Sequence, residues 1–448
     1  MCGVFAMLFR RPLNDQDVDL ARKATNLLAH RGPDGDGEWL DRERGVYLGH
    51  RRLAIIDPTS ASAQPMASAG TVLCYNGEIY NYIELRDRLV GLGHTFSTRG
   101  DVEVLIKAWH QWGPEALDHL DGMFAFVLYD GASAYLAVDP FGEKPLFYAQ
   151  TEGGIAVCSE IKPLQECFAL AASLTPPKLA ALLALGWIPD PETSVEGTKK
   201  VRCGSIIRIE QGRIQEDKRY WVPPIADPGH GNPTPLREVD LDRINTVICE
   251  SVERRMRTDV PFCHFLSGGI DSSLIAAIAK KEFGKDVQCV TVSFAGTSAN
   301  DEAAAARSIA DELGLEHQVI DSSAHLDHIN AKALVDLFGQ PSDLLTLFFI
   351  ADMARAVSDR FRVALAGSGG DEIFFGYGKH AFFYRRRFFY NAPYFLRRAA
   401  GVMAYPFRGR SGAAAVLSGS VGTKDHERYI AQMNLGAIGW LRRVDGDR

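Results

Sequence analysis

The chain contains no CxxC pair. Its eight cysteines stand singly at positions 2, 74, 158, 167, 203, 249, 263 and 289, a scatter that offers neither zinc-ligand spacing nor the disulfide framework of a small secreted domain. A secretory signal is missing as well: the first residues are mixed and include Arg10 and Arg11. The most apolar stretch, Ala169 to Ile188, is broken by Pro176, Pro177 and Lys178, so no membrane span is expected. Basic residues are not in excess. Lys and Arg number 49 against 56 Asp and Glu, a formal charge of -7, which argues against nucleic acid as a partner. No repeat period is evident. A reducing, cytoplasmic setting fits these absences best.

What is present is the composition of a folded, multidomain protein. With 448 residues, 46% apolar and 23% charged, the chain is too apolar for general disorder and too long for one ordinary core. The first half reads as short β-rich runs: GVFAML, GVYLGHRRLAII, TVLCYNGEI, GMFAFVLYD, SAYLAVD, PLFYAQ and GGIAVCS. Helical patterns interrupt them at Asp15–Leu28, Tyr82–Leu92 and Asp101–Trp112, which predicts an α+β layered domain over residues 2–219. Residues 220–238 are dense in Pro and Gly and read as a linker. From 239 to 448 the pattern changes. An amphipathic helix at Val239–Arg257 leads into the strand VPFCHFL, and helices then alternate with strands VQCVTVSF, EHQVID and RVALAG. That alternation predicts an α/β parallel sheet, with ligands at the carboxyl ends of its strands.

Three short stretches carry chemistry. In MCGVFAML, Cys2 becomes the amino terminus if Met1 is trimmed, and then bears a thiol beside an amine that titrates near pH ~8. Such a residue can act as a nucleophile with its own local base; the alternative is a small buried residue at the start of a strand. The loop SGGIDSS (267–273) follows a predicted strand and opens a helix, where free N–H groups and glycines favour a phosphate. Lacking the lysine of a Walker loop, it carries Asp271, which suits a Mg²⁺ ion beside phosphates. An ordinary glycine turn with a helix cap is the competing reading. A second loop, GSGGDE (367–372), repeats the scheme with Asp371 and Glu372, so one metal could lie between the two.

SGGIDSS resembles the pyrophosphate-binding loop of the ATP-pyrophosphatase superfamily, and LAGSGGDEIFFGY resembles the second nucleotide motif of its asparagine synthetase branch. MCGVF, AHRGPDG (29–35), GHRRLAIID (49–57), YNGEIYN (75–81) and RGDVEV (99–104), in that order, resemble the glutamine amidotransferase domain of the N-terminal-nucleophile type found in the same family. The resemblance implies a two-step reaction. Cys2 attacks the amide of glutamine, with Asn76 and Gly77 as oxyanion donors, while Arg52, Leu53, Ala54, Ile55 and Ile56, together with Asn76, Gly77, Glu78 and Asp101, bind glutamine. Leu266, Ser267, Gly268, Gly269, Asp271, Ser272, Ser273, Val292, Ala366 and Gly367 bind ATP, and Asp271 and Asp371 hold Mg²⁺. Ammonia then passes through an internal tunnel to a carboxylate activated as its adenylate. The acceptor implied is aspartate or another carboxylate such as a sugar acid, and a homodimer is a possible assembly; no nucleic acid or membrane is involved.

The chain departs from the family pattern at two points. Ser368 stands where an acid is usual, and Ala366 stands where a serine is usual. Only 71 residues follow Tyr377, and the downstream arginine–proline–phenylalanine–leucine–aspartate segment and its lysine are not found. An incomplete or specialised second domain is therefore expected, and a glutaminase joined to a degenerate nucleotide module is the alternative function. The stretch 380–410 interleaves aromatics with arginines. It reads as a domain helix with its arginines toward water, or as a membrane-surface or RNA-contacting helix.

Overall fold

The computed structural model describes residues 1–224, 237–293, 302–321, 331–342, 346–374, 376–377 and 393–404. These fall into two compact units. The first comprises Met1–Ser173, Asp190–Ile329 and Ile350–Ala366, and the second comprises Leu174–Pro189, Asn330–Phe349 and Gly367–Arg448.

The first unit begins with twelve strands: β1 (Gly3–Phe9), β2 (Gly35–Asp41), β3 (Val46–Arg52), β4 (Met66–Ser68), β5 (Thr71–Ile79), β6 (Gly122–Tyr129), β7 (Ser133–Val138), β8 (Phe147–Gln150), β9 (Gly154–Cys158), β10 (Thr198–Lys200), β11 (Ser205–Glu210) and β12 (Arg213–Arg219). They form two antiparallel sheets, in the orders β10-β8-β9-β1-β3-β2 and β12-β11-β7-β6-β5-β4. Helices α1 (Asp15–Asn26), α2 (Tyr82–Gly91), α3 (Asp101–Trp112) and α4 (Ile161–Cys167) complete the layers.

The period of two along each strand explains why the layers stack. All seven residues of β1 are buried. Val4, Ala6 and Leu8 join Val72 and Cys74 of β5 in the core between the sheets. Phe5, Met7 and Phe9 pack instead with Val18, Ala21 and Ala24 of α1. On the other side, Leu73 and Tyr75 of β5 pack with Leu85 of α2 and with Leu105 and Trp109 of α3. A strand covered on both faces has no polar alternation to show, which is why GVFAMLF reads as one apolar run. The result is a helix–sheet–sheet–helix sandwich.

In the rest of the first unit, α6 (Glu238–Arg255) precedes β13 (Phe262–Phe265), α7 (Ile270–Lys281), β14 (Gln288–Ser293), α8 (Ala303–Leu313), β15 (His317–Asp321) and β16 (Val363–Leu365). The strands pair in parallel in the order β15-β14-β13-β16. The order reverses between β13 and β16, the place where open α/β sheets bind ligands. The second unit carries α5 (Pro176–Leu185), α9 (Ala331–Phe338), the start of α10 (Thr346–Val357), α11 (Gly370–Phe374) and α12 (Tyr394–Ala404). No helix among the described residues is long and apolar enough to cross a membrane.

All seven sequence-read runs of the first half contain strands, and the parallel sheet lies where strand–helix alternation places it. The strand GVYLGHRRLAII is shorter than expected, ending at Arg52. Several elements carry no clear sequence signal. The edge strands β2 and β12 are largely charged and half or fully exposed. Helix α5 begins on Pro176 and Pro177, which look like breakers but sit in the first turn, where the missing N–H costs nothing. Of the expected linker, residues 225–236 lie outside the described residues, as do 380–392 and 405–410 of the aromatic and basic stretch.

One buried side chain shapes the turn that follows β7. The carboxylate of Asp139, fully buried, accepts N–H bonds from Phe124, Phe141, Glu143 and Lys144 at 3.0–3.1 Å. Replacing it by alanine strands four backbone donors. We predict that Asp139→Ala lowers the unfolding free energy by about 2–4 kcal/mol, measured by chemical denaturation.

Candidate active site

The amino terminus enters a cavity of about 310 Å³ in the first unit, lined by Met1, Cys2, Arg52, Leu53, Ile55, Ile56, Asn76, Gly77, Glu78 and Asp101 among others. Cys2 lies just before β1, whose register sets Gly3 opposite Arg51 of β3. The thiol contacts one residue of the segment after β3 twice: Leu53 N–H donates to Sγ at 3.4 Å, and Sγ lies 3.6 Å from Leu53 O. Arg31 fixes the backbone here, donating Nε–H to Cys2 O at 2.9 Å while its Nη1 pairs with Glu160 at 2.9 Å. Burial pushes the Cys2 thiol up from its ordinary value, against the Leu53 bond. Burial also lowers the amino group of Met1 to about 6.

Asn76 projects from β5 and is 1% exposed, and its Nδ2 has no hydrogen-bond partner among the described residues. A buried, unpaired donor lining a cavity is expensive unless a ligand completes it. Behind it the strand is held firmly. Gln64 accepts Tyr75 N–H at 2.7 Å, and His50, fully buried and lowered to about 4 by that burial, meets Tyr75 O at 3.1 Å. At Gly77 a Cβ would lie 2.2 Å from Met123 O, so only glycine fits.

Acids occupy one wall. Asp101, the first residue of α3, accepts bonds from Tyr75 OH at 2.9 Å and Ile79 N–H at 3.0 Å. Burial nonetheless raises its carboxyl above the ordinary value. Glu78 is raised to about 7, first by burial and then by the Asp101 charge. Lys144, 9% exposed, lines the same cavity and partly balances them; burial lowers its ammonium.

Arg52 is clamped opposite. Its Nη1 donates to Thr59 O and its Nη2 to Asp57 O, both at 2.6 Å, which leaves further N–H groups of the fork for a carboxylate. Asp57 sits at φ +46°, a backbone region that aspartate tolerates better than most residues. Its carboxylate takes bonds from Thr59 Oγ1 (2.6 Å), Ser62 Oγ (2.8 Å) and Arg99 N (3.1 Å). Burial opposes its ionisation, but these bonds prevail and hold it at about 2. Ala54 alone of the sequence-named glutamine residues does not line the cavity. Its N–H is spent on Asp34 at 2.9 Å. Arg362, Val363 and Ala364, from the start of β16, line the cavity as well.

At the carboxyl end of β13, SGGIDSS turns directly into α7, whose N-cap is Gly269. Gly268 has φ +76°, and a Cβ there would meet Ala305 Cβ at 2.8 Å. The serines lock the turn. Ser267 Oγ accepts Gly269 N–H at 3.2 Å and meets Ser272 Oγ at 3.0 Å, and Ser272 Oγ also accepts Ser267 N–H. His264, fully buried beneath, reaches Ser272 O at 2.7 Å. Val292 lies on β14 and Ala366 follows β16, so Leu266, Val292 and Ala366 all lie at or near the carboxyl ends of the strands. Gly367 and Asp371 belong to the second unit, where Asp371 opens α11 and Glu372 accepts from Tyr377 OH at 2.5 Å. Among the described residues no cluster of three or more His, Cys, Asp or Glu is arranged for a metal.

Residues 1–221 match the glutamine amidotransferase domain family, and residues 243–437 match the asparagine synthase family. A Mycobacterium bovis protein named "Putative asparagine synthetase (glutamine-hydrolyzing)" is 35% identical, covering 99% of this chain and 70% of its own length. The chain belongs to the glutamine-hydrolysing asparagine synthetase family. Asparagine synthetase (glutamine-hydrolyzing) 1 of Bacillus subtilis is 33% identical over 92% of the chain and 65% of its own length. The solved structure of a B. subtilis glutamine phosphoribosylpyrophosphate amidotransferase, with ADP and GMP, is similar at a TM-score of 0.37 and 16% identity, covering 76% of this chain and 71% of that one.

The sequence motifs of this family thus gather Cys2, Arg52, Leu53, Ile55, Ile56, Asn76, Gly77, Glu78 and Asp101 around one cavity. Lys144, Gln64 and Arg362 line it without having been singled out in the sequence. DPFGEK (139–144) carries a signal in hindsight, an acid that organises a turn and a lysine at its end. The depressed carboxyl of Asp57 yields a testable sign. An aspartate held at about 2 rather than 3.8 contributes about 2 kcal/mol of stability at neutral pH. That contribution is lost as pH falls through about 2 and is roughly halved by pH 3. Asp57→Asn is therefore expected to be less stable than wild type by this amount at pH 7 and by about half of it at pH 3 in urea unfolding.

Proposed function

We propose that this chain is a glutamine-dependent, ATP-dependent amide-forming ligase that transfers ammonia from glutamine to aspartate. Residues 2–219 serve as the glutaminase domain and 239–448 as the synthetase domain, joined by 220–238. The observation that carries the reading is the cavity itself: a thiol, an unpaired buried amide donor, a clamped guanidinium and two acids line one enclosure. That set suits an α-amino acid with a side-chain amide. Arg52 takes the α-carboxylate, Glu78 and Asp101 take the ammonium, and the amide carbonyl points at Asn76 Nδ2.

With Met1 removed, the amine of Cys2 accepts the thiol proton as Sγ attacks the amide carbon. The Asn76 amide and Gly77 N–H receive the oxyanion. The tetrahedral intermediate collapses as the Cys2 ammonium returns the proton to the leaving nitrogen, ammonia departs, and water hydrolyses the thioester left on Cys2 to glutamate and free thiol. Val363 and Ala364 share the cavity wall with Cys2, and their strand ends at Leu365, opposite His264 of the strand that leads into the SGGIDSS loop, which supports a short internal route for ammonia. There, free N–H groups at the start of α7 suit ATP phosphates. Asp271 and Asp371 offer oxygen donors of the kind Mg²⁺ prefers; the ion would neutralise phosphate charge.

Two tests follow. With ATP, Mg²⁺ and glutamine, the full chain is expected to release pyrophosphate in an aspartate-dependent way alongside glutamate. Cys2→Ala removes glutamate formation while ammonia still supports pyrophosphate release. Glutamate without pyrophosphate under these conditions would reject aspartate as the acceptor. The second test uses pH. Glu78 must be ionised to take an ammonium and titrates at about 7 in the empty cavity. Hence kcat/KM for glutamine is expected to fall about tenfold per unit below pH 7, and Glu78→Gln flattens that limb.

A further inference from the structure

Arg52, Leu53, Ile55 and Ile56 line the cavity, yet beyond Arg52 the segment Arg52–Asp57 is a connection after β3 rather than a strand. Part of what fixes it comes from the second half of the chain. Asp259, in the approach to β13, accepts Asp57 N–H on Oδ2 at 2.8 Å, and its own N–H donates to Ile55 O at 3.3 Å. Asp259 does not line the cavity. A second tether acts two residues away: Arg362 Nη1 bonds Asp34 Oδ2 at 2.5 Å, and the same oxygen accepts Ala54 N–H. The neighbouring chain is pinned alongside. Arg257 reaches Tyr80 O at 3.0 Å and Glu84 at 2.7 Å, and Arg254 reaches Asp121 at 2.7 Å.

We infer that Asp259 is a positioning residue for glutamine binding, acting through the Ile56–Asp57 peptide on the guanidinium of Arg52. The inference rests on Arg52 being the carboxylate-binding group. Asp57 is held at φ +46°, and among the described residues its carbonyl is one of two that grip Arg52. The bond from Asp57 N–H to Asp259 fixes the peptide plane on one side of that residue. Without it the Asp57 backbone relaxes toward ordinary φ, its carbonyl turns away, and the fork loses its alignment. Cys2 is held through Leu53 and Arg31 instead, so the chemical step is spared while affinity is lost.

The test is glutamate formation by the full chain at varied glutamine. Asp259→Ala is expected to raise KM about tenfold, the scale of one hydrogen bond to a charged acceptor, with kcat changed by less than about twofold. Asp259→Asn keeps an acceptor oxygen and should restore most of the affinity. An unchanged KM in Asp259→Ala, a fall in kcat alone, or an Asp259→Asn variant as impaired as Asp259→Ala would overturn the inference while leaving the glutaminase reading intact. A wild-type chain that forms no glutamate would instead overturn the reading of the cavity, and the inference with it. Thermal unfolding separates misfolding from lost positioning. If Asp259→Ala does not fold, Asp259→Ser, whose oxygen stops one bond short of the Oδ2 that accepts Asp57 N–H, carries the same expectation for KM and the same means of rejection.

Discussion

Asp57 gives its N–H to Asp259, lends its carbonyl to Arg52 and gathers donors from Thr59, Ser62 and Arg99 on its carboxylate. Few residues connect so many segments. The segments joined are the connection after β3, the turn before α3 and the approach to β13. None of them is rigid on its own account, because each is a turn or a strand end. A left-handed aspartate is a modest cost, on the order of 1 kcal/mol, and four or more hydrogen bonds offset it. The cavity wall inherits its shape from that exchange: with Asp57 fixed, its carbonyl and that of Thr59 hold the guanidinium of Arg52 in place.

The charges facing Arg52 are arranged less comfortably. Two carboxyls, Glu78 and Asp101, are both buried and both raised, the second contributing to the shift of the first. Lys144 relieves the repulsion only in part. Such an arrangement is poor when empty and improves when a cation enters, since an ammonium favours ionisation of both acids together. Asn76 follows the same logic with a dipole in place of a charge. Its Nδ2 is unpaired among the described residues, and an acceptor from a ligand would satisfy it. Unsatisfied groups of both kinds in one enclosure suit a ligand that is zwitterionic at one end and carbonyl-bearing at the other, as the proposed function requires.

Much of this was legible in the sequence because it depends on local grammar. GVFAMLF and TVLCYNGEI stand out as β-rich runs, the alternation of strands with helices after residue 239 sets the parallel sheet, and the motif residues fall where the strands deliver them. What was not legible is tertiary in origin. Edge strand β12 is so charged that its pairing with β11 shows only in register. Lys144 becomes a site residue because Asp139, buried far from any motif, folds its turn inward. The segment RLAIID was expected to continue as strand. It leaves the sheet at Arg52 because Ala54, Ile55 and Asp57 spend their backbone groups on Asp34 and Asp259 rather than on a neighbouring strand. No pattern within the segment announces partners roughly two hundred residues away.

The placement of those partners gives the second half a double task. Asp259 stands before β13 and Ser267 after it, with the four residues Phe262–Phe265 of the strand between them. Arg362 and Ala366 bracket β16 in the same way. Strand β13 is hydrogen-bonded on both sides, to β14 and to β16, so it cannot slide without breaking ladders on each flank. The amino ends of the two strands therefore hold the segment proposed to bind glutamine while their carboxyl ends present the glycine loop, and a single pair of hydrogen-bonded strands sets the geometry of both. A parallel sheet is suited to this because all its strand ends of one polarity lie on one edge. The amidotransferase sandwich has antiparallel strands and offers no such edge, which explains in physical terms why the segment it contributes must be completed from the other half of the chain.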